Sequence, residues 1–183
     1  MTPTYPPEQV TLRDGTAVTL RPIRPDDAPR LQAAVARLLP QSIYLRFLIP
    51  LRRLSDADAQ RLAMVDYDRR MALVAVIEVD GEEHIIGVAR YAMTETDGVA
   101  EPAIVVGDTY QGRGLGTILL ALLARYARAH GVHAFAATIA AENTRILRVV
   151  EHTGLPFKVH DLGHGERELR IDLSDVTPAA PAN

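Results

Sequence analysis

No cysteine occurs among the 183 residues, which excludes disulfides, thiolate metal sites and a cysteine acyl-enzyme. Nor does any apolar run reach the roughly 20 residues that cross a bilayer, or resemble a signal peptide. The cytoplasm is the expected compartment. The chain also lacks a strong charge of either sign: the formal net charge is -3 at pH 7 and the pI is near 6.1. That balance gives no electrostatic basis for binding nucleic acid or an anionic membrane, and it is compatible with a cationic, amine-bearing substrate. The six histidines show no metal pattern. His130 and His133 straddle Gly131, so their rings need not share a face, and no metal is expected. What is present, 48% hydrophobic and 23% charged residues, suits one domain with a substantial core.

Along the chain, Pro3, Pro6 and Pro7 mark an irregular lead-in over 1–9, and Val10–Arg13 and Ala17–Ile23 read as two strands about an Asp14-Gly15 turn. Arg24-Pro25-Asp26-Asp27 opens a helix, capped by Asp26 or Asp27, with Leu31, Val35, Leu38 and Leu39 at helical spacing up to Pro40. The stretch 42–47, between Pro40 and Pro50, fits a helical turn as well as a strand. Ser55 caps a second helix carrying Leu62 and Val65 and closed by 66–70. Met71–Val79 and His84–Met93 form a hairpin through Asp80-Gly81, and Val99–Val106 continues the meander. A long helix from Gly114 to His130 puts Leu115, Ile118, Leu119, Leu122, Leu123 and Tyr126 on one face. A strand at 134–140, a helix from Glu142-Asn143-Thr144 to Gly154, and a closing hairpin at 156–160 and 166–173 complete a single domain over 10–173. The strand, helix, strand alternation implies a parallel crossover. Residues 174–183, rich in Ala and Pro, read as a mobile tail.

The stretch that organises the rest is Val105-Val106-Gly107 through Gly112-Arg113-Gly114-Leu115-Gly116, where an apolar strand turns into the long helix. Glycines at alternate positions let a ligand approach the backbone, and the helix start aims unpaired N–H groups and its positive dipole end at the same place. An anion belongs there. The turn lacks the Lys-Ser/Thr pair of an ATP-binding P-loop. It also lacks the Gly-x-Gly-x-x-Gly spacing and the downstream acid of a dinucleotide site, since 134–137 offers no carboxylate.

Gln-x-x-Gly-x-Gly, running from Gln111 to Gly116 between a strand and a helix, resembles the acyl-CoA signature of the GNAT N-acetyltransferases. The resemblance spans about 10–173 and implies a mixed, mostly antiparallel α/β sheet with helices on both faces. The sheet is split where the glycine-loop strand and its parallel neighbour diverge, and the pantetheine arm enters that split. The amides of Gln111, Gly112, Arg113, Gly114, Leu115, Gly116 and Thr117 are then expected to hold the pyrophosphate of acetyl-CoA. Arg113 can pair with a phosphate, and Asn143 either caps its helix or reaches the CoA arm. Four further stretches are similar to the acetyltransferase module of bacterial Pat-type protein lysine acetyltransferases. These are 20–27, Tyr44-Leu45-Arg46-Phe47, Asp66-Tyr67-Asp68-Arg69 before Met71, and Ala100-Glu101 before 103–106.

Acyl transfer from a thioester to an amine needs the amine neutral, whereas a lysine of pKa about 10.4 is protonated roughly 2,500 to 1 at pH 7, a cost of about 4.6 kcal/mol. A positioned carboxylate can take that proton. Glu101 is the candidate base, some ten residues before the loop on the same strand, and in Pat-type modules the glutamate of this Ala-Glu pair is the proposed general base. The alternative is a surface carboxylate at a strand start. Pro102 departs from the aromatic residue usual there and belongs at an edge or bulge. A backbone N–H of Val105 or Val106 is the expected oxyanion donor. Relatives protonate the thiolate with a tyrosine near the final helix; Phe157 stands in that region, which leaves the general acid unassigned. Asp66, Tyr67 and Asp68 either receive an acceptor lysine or form a solvated helix end. The implied activity is acetyl-CoA-dependent acetylation of a lysine ε-amine in a cytoplasmic protein such as an acyl-CoA synthetase. The alternatives are acetylation of a small amine and a non-catalytic acyl-CoA-binding regulatory module.

Overall fold

The computed structural model describes residues 5–49 and 51–179. The first half of the chain forms β1 (Glu8–Thr11), β2 (Ala17–Pro22), α1 (Ala28–Ala36), α2 (Pro40–Phe47), α3 (Asp56–Ala63), β3 (Arg70–Val79) and β4 (Glu82–Met93). The second half forms β5 (Val99–Val106), α4 (Leu115–Ala129), β6 (Ala134–Ala140), α5 (Thr144–Thr153), β7 (Phe157–Gly163) and β8 (Glu166–Asp172). The strands make one eight-stranded sheet in the order β1-β2-β3-β4-β5-β6-β8-β7. Every pairing is antiparallel except β5 with β6, as the strand, helix, strand order requires.

Helices cover both faces. Leu115, Leu119, Leu122, Leu123 and Tyr126 of α4 pack with Leu20, Leu73, Phe135 and Leu169 on one side, while Leu31, Val35 and Ala59 of α1 and α3 pack with Val74, Val76 and Ile85 on the other. β3 is consequently apolar without alternation from Met71 to Val76, since a strand covered twice has no wet face.

The helix expected to run up to Pro40 is instead divided. Leu39 is extended, at φ -68° and ψ 151°, because a residue preceding proline is pushed out of the α region, and Pro40 then serves as the first residue of α2. This settles 42–47 as helix and leaves Leu39 exposed. Ser55 caps α3 by accepting the Asp58 N–H at 3.1 Å. Asp27, expected as a side-chain cap, makes no such bond to α1. Part of the lead-in is strand, with Glu8 and Gln9 opposite Leu20 and Thr19. Part of the expected tail is docked: Val176 packs against the α4-side core, and the Ala179 N–H donates to the Arg125 carbonyl at 3.0 Å. Residues 1–4, Pro50 and 180–183, which include the ends of the expected lead-in and tail, lie outside the described residues.

Asp27 is fully buried and holds a bidentate pair with Arg21, itself 1% exposed, at 2.8 and 2.9 Å. It also accepts the Arg24 N–H at 2.8 Å, and Arg21 reaches on to Glu83 at 2.6 Å. Burial pushes the Asp27 carboxyl upward, but the guanidinium and the Arg24 amide outweigh it and hold the group below the ordinary carboxylate range. A depressed folded-state pKa contributes stability that is present above the unfolded value, near pH 4, and is lost as the pH falls through the folded one. Asp27→Asn would leave Arg21 buried with half its partner and should cost about 3–5 kcal/mol. Urea unfolding at pH 7 measures that loss, and the gap between variant and wild type should shrink below pH 4.

Candidate active site

The parallel ladder between β5 and β6 is two residues long, Val99 opposite Ala134 and Ala100 opposite Phe135. Its end can be traced to one residue. Bonds from Thr94 N–H to Val99 O and from Gly107 N–H to Ile86 O flank the β4–β5 register. By the alternation of an antiparallel pair, Glu101, Ala103 and Val105 therefore exchange hydrogen bonds with β4, while Ala100, Pro102, Ile104 and Val106 face β6. The next donor toward β6 after Ala100 would be residue 102, and proline has none to give. Beyond it the strands part.

The gap opens a cavity of about 730 Å³ that passes between the two faces of the sheet, a size usual for small-molecule sites. Its wall includes Glu101 through Val106, Ala137 through Ile139 of β6, Thr117 and Leu120 of α4, Ile146 and Val149 of α5, and Ser42 and Leu45 through Leu48 from α2 and its end. Side chains alternate along β5. Ile104 and Val106 turn to the α4 side, Val105 turns to the α1 side with Ala103 and Glu101. Glu101 is exposed, on the cavity wall, and five residues from Val106, roughly 17 Å along the strand.

At the other end lies the glycine loop. Gly112 and Gly114 have φ of 75° and 92°, the left-handed region that favours glycine. Gly114 starts α4, and no side chain caps that start, so its first-turn N–H groups stay free for an acceptor. Gly116 serves a different purpose from ligand approach: a Cβ there would meet Val149 Cγ2 at 3.2 Å, so its absence lets α5 close on α4. Cations surround the loop. Arg13, Arg145 and Arg148 all line the cavity, and Arg145 donates to Gln111 Oε1 at 2.6 Å. With the dipole of α4 they make this end an anion cradle.

The sequence candidates distribute unevenly. Glu101, Val105, Val106, Gln111, Gly112, Gly114, Gly116, Thr117 and Asn143 all line the cavity. Gln111 Nε2 donates to the Val106 carbonyl at 3.0 Å; the Val106 N–H, like that of Ile104, faces the gap, whereas the Val105 N–H is committed to β4. Asn143 caps α5 through the Ile146 N–H at 3.3 Å while standing on the wall. Arg113 does not line it: its guanidinium pairs with Asp14 and lies over the Tyr110 ring at 5.1 Å. Leu115 is in the core, 1% exposed, and can offer only its amide. Phe157 is also off the wall.

Asp66, Tyr67 and Asp68, expected near the acceptor, do not line the cavity either. Asp66 accepts the Asp68 and Arg70 N–H groups at 3.0 and 2.8 Å, Tyr67 donates to the Ile23 carbonyl at 2.8 Å, and its own carbonyl accepts from Tyr126 at 2.9 Å. Burial raises the Asp66 carboxyl, but those amides and Arg70 outweigh it and lower its pKa. The three residues build the turn into β3. Sequence reasoning missed Arg13, Ser42, Arg46, Tyr110 and His152 on the wall. It also missed Arg145 and Arg148, which the i, i+3 spacing at the start of α5 signals; the rest carry no local pattern.

Among the described residues no helix is long and apolar enough to cross a membrane, and no cluster of three or more His, Asp and Glu is arranged to hold a metal ion. Residues 17–156 match the family model described as an acetyltransferase (GNAT) domain. The chain belongs to the GNAT acetyltransferase family. It is 37% identical over 121 residues to acetyltransferase PA5475 of Pseudomonas aeruginosa, covering 66% of this chain and 65% of that protein. It is 30% identical over 176 residues to acetyltransferase Pat of Mycolicibacterium smegmatis, covering 96% of this chain and 52% of that protein. The chain thus spans only part of both curated relatives. The GNAT domain of S. lividans PAT superposes with a TM-score of 0.80 at 33% identity, covering 92% of this chain and 99% of that one. A phosphinothricin acetyltransferase from Sinorhizobium meliloti, solved in complex with AcCoA, shares the fold at TM-score 0.66 and 19% identity, covering 90% of this chain and 92% of that one.

One carboxylate ties the anion cradle to the other side of the cavity. Asp108 accepts the Leu39 N–H at 2.8 Å, capping α2 from a distant loop, together with the Ser42 hydroxyl at 2.5 Å and Gln111 Nε2 at 3.3 Å. Asp108→Ala removes all three and should lower stability by about 1–3 kcal/mol, read as a drop in urea midpoint at constant slope.

Proposed function

We propose that this GNAT domain binds acetyl-CoA along the β5–β6 gap and transfers its acetyl group directly to the ε-amine of a lysine in a protein substrate, with Glu101 as general base. The single observation that carries the proposal is the continuous cavity joining an uncapped helix start, ringed by arginines, to a carboxylate on the far part of the same strand. The pyrophosphate lies on the amides of Gly112 to Thr117 beside Arg13, Arg145 and Arg148, and the pantetheine arm runs past the open N–H groups of Ile104 and Val106. Of these two the Ile104 N–H, three residues from Glu101, is the one near enough to serve the tetrahedral oxyanion of an amine that Glu101 deprotonates. Glu101 takes a proton from the acceptor ammonium, directly or through one water; the neutral amine then attacks the thioester carbon, the C–N bond forms, and the C–S bond breaks as the CoA thiolate departs, the second nitrogen proton ending on the thiolate. Acetyl-CoA as co-substrate is supported by the AcCoA complex of the Sinorhizobium meliloti enzyme, and a lysine acceptor by the stretches that resemble the Pat-type protein lysine acetyltransferase module.

Lys158 is the only lysine in the chain, so label from acetyl-CoA has few sites on the enzyme itself and incorporation into a cytoplasmic proteome is readable against a low background. Glu101→Gln should bind CoA as wild type does by calorimetry. Its kcat/KM at pH 7 should fall by about 10²–10⁴, with the deficit narrowing toward pH 10, where the acceptor sheds its own proton. A variant as fast as wild type at every pH would remove Glu101 from the mechanism. Absence of heat with both acetyl-CoA and CoA would remove the transferase.

A further inference from the structure

Glu101 shares its part of the cavity with an unmatched guanidinium. Arg46, in the last turn of α2, lines the same wall, and the charge of Glu101 bears on it. Among the described residues the Arg46 guanidinium makes no hydrogen bond and no ion pair; it lies over the Phe47 ring at 4.7 Å. Burial pulls its pKa down from the usual arginine value, against the opposing effect of Glu101.

A second arginine stands behind it. Arg90 of β4 is directly opposite Ala103 and therefore on the same side of the sheet as Ala103 and Glu101. It gives one N–H to the Leu62 carbonyl at 3.3 Å. Burial first, then the charges of Arg46, Arg70 and Arg61, push it down to about 10. Arg61 and Arg70 have their own carboxylates, Asp58 and Asp66, whereas Arg90, like Arg46, has none within ion-pair distance among the described residues.

The charge at this end does not balance for a bare lysine. Glu101 is the one carboxylate among the described residues on the cavity wall, and it shares that wall with Arg46, while Arg90 stands off the wall with the charge of Arg46 bearing on it. The arginines at the other end have phosphates to meet. These two have nothing unless the acceptor brings it. A planar guanidinium recognises a carboxylate through two parallel N–H bonds.

We propose that Arg46, backed by Arg90, reads a carboxylate carried by the acceptor next to its reacting amine, so that the preferred substrate is a lysine flanked by an aspartate or glutamate in a polypeptide. This rests on the reading of the cavity as an acetyl-transfer site. A free amino acid would supply the same carboxylate. The polypeptide is favoured because Tyr44 and Ile49, on either side of Arg46 in the chain, are 41% and 57% exposed, apolar surface that a peptide covers and an amino acid leaves wet.

The test measures acetyl transfer by wild type, Arg46→Gln and Arg46→Lys to three acceptors. These are a peptide with glutamates beside its lysine, the same peptide with glutamines there, and a mixture of free amino acids. Wild type should favour the acidic peptide about tenfold or more in kcat/KM, chiefly through KM. In Arg46→Gln that preference should collapse to within about twofold with the KM for acetyl-CoA unchanged, and Arg46→Lys should restore part of it. Equal use of both peptides by wild type would overturn the proposal while leaving lysine acetylation standing, as would a variant that keeps the preference and changes only the pH profile. Arg46-dependent acetylation of free amino acids in place of peptides would overturn the polypeptide acceptor. No transfer to any acceptor, with acetyl-CoA still bound, would overturn the transfer reading and this one with it.

Discussion

Everything at the cavity depends on the parting of β5 from β6. A parallel pair normally persists because each strand satisfies the other's backbone groups. Here β5 reaches Pro102, which has no N–H to offer, and the ladder stops at Ala100 opposite Phe135. The groups left over at Ile104 and Val106 become binding surface instead of sheet. Carbonyl 106 is satisfied by Gln111, so what remains in the gap is a small set of donors at fixed positions along one strand. Proline, which at first sight weakens Glu101 as a candidate, is compatible with its placement: Glu101 keeps its β4 partner, and the break falls on the other edge of the strand.

The second constraint is polar. Asp108 and Gln111 bind the glycine loop to α2 by way of Leu39, Ser42 and the Val106 carbonyl, and Arg145 brings α5 into the same network. α2 carries Arg46 toward Glu101. A hydrogen-bonded path therefore runs from the glycine loop to the helix that walls the Glu101 end of the cavity, and both ends are placed by residues within one short loop. The apolar layers on either face supply the rigidity. Gly116 admits Val149, so α4 and α5 enclose the cavity from one side while α2 encloses it from the other.

Much of the fold was legible in local chemistry. Val99–Val106 and Ala134–Ala140 came out at their observed bounds, and the helix after the glycine loop was placed within a residue at each end, because length, periodicity and terminal glycines all agreed there. The helix expected through Leu39 ran too far, since an apolar spacing continued past the point where Pro40 forbids helix at its predecessor. Asp27 looked like a cap because it sits at a helix start; its partner, Arg21, comes from a strand by way of the fold, and a buried ion pair leaves no mark in a short window. Asp66 and Tyr67 carry groups that suit a substrate, yet the Asp66 carboxylate is spent on the turn before β3 and the Tyr67 hydroxyl on the Ile23 carbonyl.

By itself the sequence determined the strand and helix order, the glycine turn into α4 and the strand that bears Glu101, because each of these follows from neighbours within a few residues. Only the tertiary structure decided which cations face the turn and which are spent elsewhere. Arg13 reaches the cavity from the β1–β2 turn and Arg145 and Arg148 from α5, while Arg113, inside the motif, turns to Asp14. It also decided that Arg46 shares a wall with Glu101. A charge finds its partner through space, and residues 46 and 101 become neighbours only when α2 has packed against β5.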